Sequence, residues 1–184
     1  MPSCNLYCAE ELTDFEYVIE CGSAHPAGAS NIIIVICDDL ISDPFNATQL
    51  LAAITAGDAF KAEGVRFGST APTPTAGPKL TSCGVESVLY QTHALSWTDY
   101  NYTQVNNLNY EKLGNGLRPK GILAIDCTKT GWENTARYYA SNTGGIQLSG
   151  GLVSPDDDNE ASRFELTGTF KGTIDIGTAP TGIF

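Results

Sequence analysis

The chain has 184 residues, 42% hydrophobic and 17% charged, with a formal net charge of −11. That length supports the core of one ordinary domain without metal or crosslinks. So negative a chain is ill suited to gripping nucleic acid or an anionic membrane surface, since both need Lys and Arg.

The charge is uneven. Residues 1–60 hold nine acidic groups (Glu10, Glu11, Asp14, Glu16, Glu20, Asp38, Asp39, Asp43, Asp58) and no Lys or Arg, while half of the ten basic residues fall between Lys112 and Arg137. This asymmetry suits head-to-tail contact between identical subunits, although chance and a solvated acidic face give the same pattern. The plentiful Gly, Thr and Asn favour strands and turns over long helices.

In chain order, residues 1–29 read as an extended N-terminal arm. Met1-Pro2-Ser3-Cys4 offers neither a basic nor an apolar leader region, so no signal peptide is expected and synthesis is placed in the cytoplasm. Asn31–Cys37 is a continuous apolar run, hence a buried strand. Asp43-Pro44 opens a helix, with Asp43 as cap and Ala47, Leu50, Leu51 and Ile54 at helical spacing before Gly57 ends it. Glu63–Gly68 is a candidate strand. Residues 69–78 (STAPTPTAGP) form a Pro-rich extended loop, excluded from any central ladder by their missing N–H groups.

Gly84–Trp97 reads as a long strand with Leu89, His93, Leu95 and Trp97 on one face and Val88, Tyr90 and Ala94 on the other. Two partly apolar faces imply cover on both sides or contact with a neighbouring subunit. Asp99–Leu113 has weak helical character through Val105, Leu108 and Leu113, capped by Asp99 or Asn101, and Gly114-Asn115-Gly116 is a turn. Leu117–Cys127, Arg137–Ala140, Gly145–Val153 and Glu160–Ile176 complete the strands. In the last, Phe164, Leu166 and Phe170 alternate with Arg163, Glu165 and Lys171. The expected fold is mainly β, a β-sandwich or small barrel with one flanking α-helix. Residues 30–184 form a single domain behind the arm.

Each candidate chemical site stands beside a plainer explanation. Cys4, Cys8, Cys21 and His25 have zinc-like spacing, but residues 9–20 lack a compact finger pattern, so free or buried thiols are preferred. A cytosolic origin disfavours disulfides, and Cys37, Cys83 and Cys127 read as core. Asp38-Asp39 follow an apolar strand without any phosphate loop, and Asp156–Asp158 with Glu160 lack the calcium-loop ladder. His25 lies in a loop and His93 in a strand, and no nucleophile signature frames either. The sequons at Asn46 and Asn101 are idle without secretion. No enzyme activity, cofactor or resident metal is expected. Among the mid-chain aromatic and basic residues, Trp97, Tyr100, Lys120 and Arg137 are the candidates for intersubunit contact.

Taken together, several features resemble the virion proteins of tailed bacteriophages, most of all tail tube proteins. These are the acidic arm, Cys21-Gly22 before a small-residue loop, the strand at 31–37 and the helix at 44–56. The two-faced strand at 84–97, the Gly-Gly pairs of 144–151, the acidic turn at 156–159 and the terminal FELTGTFKGTIDIG (164–177) complete the pattern. The resemblance implies subunits that form rings and stack into a tube, with inner strands joining across subunits and an acidic lumen for passing DNA. Partners are then other copies of the chain and other virion proteins, and the location is the virion, after synthesis in a bacterial host. The arm and the loop 69–78 would make the inter-ring contacts. A head decoration protein, or a carbohydrate-binding or adhesive β-sandwich, are the alternatives.

Overall fold

The computed structural model describes residues 12, 14–16, 29–69, 73–76, 88–126, 135–142, 144–154 and 162–184. At its centre is β1 (Ala29–Val35), whose Ile32, Ile33, Ile34 and Val35 are wholly buried. Successive strand residues point to opposite faces, so Ile32 and Ile34 enter an inner core while Ile33 and Val35 face an outer one. Antiparallel β2 (Ala59–Ser69) and β5 (Gly121–Asp126) flank it. The β1–β2 register shifts between Ser30 and Ile32, and there Gly64, at φ 67°, donates its N–H to Asn31 Oδ1. Such a bulge increases strand twist and helps a sheet to curl.

The outer core is closed by α1 (Ala47–Ala56), which buries Leu50 and Ala53 against Ile33, Val35, Leu123 and Ala136. The helix begins three residues later than Asp43-Pro44 predicts. Its cap is Asn46, whose side chain accepts from the Thr48 and Gln49 N–H groups, and Asp43 instead accepts from Phe45 N in a preceding turn. Gly57 ends the helix at φ 81° as expected. The chain's last residues lie over this outer core as well. Ile183 is buried there, and Lys61 Nζ donates to its carbonyl at 3.0 Å.

The Pro-rich segment contains β3 (Thr73–Ala76), a correction to its reading as pure loop. It pairs only with β4 (Val88–Asp99) among the described strands, so Pro74 sits in an edge strand where a missing N–H is tolerated. A second helix, α2 (Gln104–Gly114), is capped by Thr103 rather than by Asp99 or Asn101. After β5 come β6 (Thr135–Ser141), β7 (Gln147–Val153) and the 16-residue β8 (Arg163–Thr178). The ladder β4–β2–β1–β5–β6–β8 returns to β4, giving a closed six-stranded antiparallel barrel. The barrel thus matches the expected mainly β class, with two helices where one was expected.

Trp97, Leu95, Tyr139, Phe164, Leu166 and Phe170 fill the barrel. α2 adds Tyr110 and Leu113 to that core and packs on β7, where a Cβ on Gly114 would sit 2.5 Å from the Gly150 carbonyl oxygen. Replacing Asn46 with Ala removes the acceptor for two N–H groups and is expected to cost about 1 kcal/mol. Asp43→Ala should cost less. Urea midpoints of the two variants check this, and equal losses would contradict the assigned cap.

Candidate functional site

Few of the chemical candidates gain company in the fold. Cys4, Cys8, Cys21, His25, Cys83, Cys127 and Asp156–Asp158 lie outside the described residues. Among the described residues no three His, Cys, Asp or Glu side chains are grouped to hold a metal. Cys37, two residues past β1, is buried in the core as expected, and it is disulfide-bonded. Asp38 and Asp39 are exposed where the strand meets solvent, and nearby Asp58 has its pKa raised by partial burial and by the charge of Asp39. Asn101 is 9% exposed, and its Nδ2 donates to Glu63 O and Asp99 Oδ1, so that sequon nitrogen is occupied.

A buried polar network sits where β4 ends and α2 begins. Asp99, 1% exposed, accepts the Tyr110 hydroxyl at 2.7 Å, the Asn101 N–H at 2.8 Å and Asn101 Nδ2 at 2.6 Å. Burial raises the pKa of Asp99 above the ordinary carboxylate range, and the three hydrogen bonds only partly offset it. Tyr110 is pushed well above its ordinary value by burial, then by the charge of Asp99 and the bond to it. Trp97 Nε1 lies toward the Tyr110 hydroxyl without reaching an acceptor at bonding geometry. These residues anchor structure. Nothing in them is open to a substrate.

At the opposite end of the β4–β8 ladder the barrel wall parts. Pairing stops at Thr92 with Lys171. Beyond it, β4 continues against β3 and β8 against β6. His93 stands at the fork, stacked on Phe170 at 5.0 Å, with Nε2 3.2 Å from the Gly172 carbonyl oxygen. The Lys171 carbonyl accepts from Asn142 on the β6 side, so the Gly172 carbonyl faces the β4 side. Past that point the β4-side edge of β8 has no ladder partner among the described residues. The inward-facing stripe Phe164, Leu166 and Phe170 runs on through half-buried Ile174 to Ile176, which is 66% exposed. Arg137, one of the sequence candidates, is the cross-strand neighbour of Ile176 on β6.

The other sequence candidates scatter. Tyr100 is exposed, Lys120 is half-buried with its N–H bonded to Val35 O, and Trp97 is inside the barrel at 2% exposure. The seam is missed by sequence reasoning, although the isoleucines continuing the alternation past Phe170 mark it. On the outer wall, a groove of about 570 Å³ is lined by Ser69, Ser96, Gln147, Ser149, Thr167 and Thr169 with Gly68 and Ala94. No ionisable or aromatic side chain lines it. Of the outward residues read from the sequence, Ala94 lines this groove, with Leu95 beside it, and the side chains of Val88 and Tyr90 lie outside the described residues. No helix among the described residues is long and apolar enough to cross a membrane.

No family model matches the chain, and no curated protein matches it. Among solved structures, it is similar to a chain from the virion of a native gene transfer agent particle. The TM-score is 0.35 and the identity 12%, over 61% of this chain and 82% of that one. A chain from the C6-symmetric tail of an empty gene transfer agent particle gives a TM-score of 0.34 and 13% identity, over 61% and 79% of the two chains. At such TM-scores the likeness carries no weight for function.

The polar network makes a pH-dependent prediction. A carboxyl whose folded pKa is raised binds its proton more tightly in the native state, so stability is gained as pH falls through the folded pKa toward the unfolded value near 3.8. Wild type should therefore gain stability relative to Asp99→Asn on acidification across that window, measured by denaturant midpoints at stepped pH. A flat difference would mean that burial leaves the carboxyl of Asp99 with the same proton affinity folded and unfolded, contradicting the raised pKa.

Proposed function

We propose that this protein is a structural subunit of a phage-like virion, which assembles with copies of itself into rings that stack as a tail tube. The observation that carries the reading is the seam at β8. An unpaired strand edge is a template for another strand, and folded proteins ordinarily blunt or cover such edges. Here no described strand covers the β4-side edge past Lys171, and an exposed Ile176 and a half-buried Ile174 lie beside it. The β3 edge, by contrast, carries Pro74. Strand addition supplies main-chain hydrogen bonds, and alternate side chains supply the fit.

The net charge of −11 supports a wall that passes DNA without holding it. The outer groove's lining offers no aromatic ring on which a sugar could stack, which weighs against the glycan-binding alternative. A disulfide at Cys37 fits a particle that works outside a reducing cytoplasm. A head decoration protein is the second reading, since a free edge would also serve docking to a capsid.

Negative-stain electron microscopy of the purified protein across a concentration series tests the proposal. Rings or tubes with a central channel are expected for wild type. Ile176→Lys should remove them while leaving the melting temperature nearly unchanged, because the side chain is 66% exposed. Single particles of wild type at every concentration would reject ring assembly and favour the decoration role. The double reversal Lys120→Glu with Arg137→Glu should weaken association most at low ionic strength, and sedimentation at stepped salt reads the difference.

A further inference from the structure

The segment Leu12–Glu16 is held like a bound peptide. Leu12 is 5% exposed in the inner core, and the Phe15 ring lies 5.0 Å from Tyr110 of α2. Asn106, wholly buried, meets the Glu16 backbone with both ends of its amide. Its Oδ1 accepts the Glu16 N–H at 2.8 Å, and its Nδ2 donates to the Glu16 carbonyl at 2.8 Å. A side-chain amide used this way imitates a strand neighbour and reads main chain rather than a particular side chain. A third bond, Nδ2 to Asn101 O at 2.9 Å, fixes the amide's orientation. None of the described residues 12 and 14–16 belongs to a strand ladder.

We propose that this cleft of α2 and the barrel mouth is a receptor for an extended peptide, and that in the assembled particle its occupant is Leu12–Glu16 of a neighbouring copy. The proposal rests on the self-assembly reading above and deepens it by assigning the arm's receptor. The segment is joined to β1 by residues 17–28, a stretch of twelve. A twelve-residue connection can span at most roughly 40 Å, which sets the greatest distance over which the segment could be exchanged. Exchange between identical chains keeps every contact named here, so it forfeits no binding energy and is a low-cost route to linkage. Inside a ring, the high local concentration of neighbouring arms favours it further.

The test uses full-length protein in isotopically light and heavy forms, each with Phe15 replaced by the photoreactive p-benzoylphenylalanine. The forms are mixed before assembly, irradiated, and digested for mass spectrometry. Crosslinks from position 15 to the α2 peptide are expected in both free and assembled protein. In the assembled fraction they should include light–heavy pairs in proportion to random pairing, while the unassembled fraction gives same-mass pairs. Same-mass pairs alone in visible assemblies would overturn the exchange and leave the self-assembly reading intact. No assembly at any concentration would overturn both. Asn106→Asp keeps an acceptor but loses the donor to Glu16 O, and should cut crosslink yield several-fold with far-UV circular dichroism preserved. If that variant fails to fold, Leu12→Ala serves, and an undiminished crosslink yield would show that the cleft does not recognise the segment.

Discussion

The length of β8 is the constraint on which the rest of the barrel depends. Its sixteen residues pair with β4 and β7 over the first part and with β6 over the second. A shorter strand could not close β4 onto β6, and the sheet would remain open. Closure in turn forces β1 to bury both faces, one into the barrel and one under α1, which is why its apolar run is unbroken. Gly172 and Gly177 are the points where β8 admits close neighbours. A Cβ at Gly177 would lie 2.6 Å from the Phe45 ring, and one at Gly172 would collide with the Ala140 carbonyl.

The two ends of the β4–β8 ladder are finished in opposite ways. At the Asp99 end, hydrogen bonds to Asp99, Asn101 and Asn106 satisfy buried polar groups and fasten α2 and the Leu12–Glu16 segment. A network of this kind is directional and admits one arrangement, because any member left unpaired carries a full desolvation cost. At the His93 end, one imidazole nitrogen meets the first free carbonyl of β8, and its other ring nitrogen is buried without a partner. One end is thus specified by polar contacts within the chain. The other is closed by one imidazole contact, past which the β4-side edge of β8 has no ladder partner among the described residues.

Much of the fold was legible because its signals are local. The alternation of Phe164, Leu166 and Phe170, the apolar run of β1 and the Gly57 stop each report their own element. The misses came from tertiary contacts. Asp43-Pro44 is a sound helix start by local rules, but Phe45 packs under Gly177, and the chain turns to Asn46 before the helix begins. In α2 the expected apolar positions included Leu108, which is 51% exposed, whereas Asn106 and Asn109 are buried. Polar residues on a buried helix face are invisible to hydropathy until their partners are placed. The core position of Cys37 was legible from its apolar strand, but its disulfide was not, because pairing depends on a partner that only the fold brings close. The seam escaped because its isoleucines look like ordinary core until the β4 ladder is seen to stop short of them.

The chain's last residues are fastened by a main-chain and a ring contact. Lys61 holds the Ile183 main-chain carbonyl and lies 5.7 Å from the centroid of the Phe184 ring, which is 40% exposed. Neither contact requires a free carboxylate. Both act through a main-chain carbonyl and a ring face, so Lys61 of β2 clasps residues 183 and 184 over the outer core whatever chain follows them.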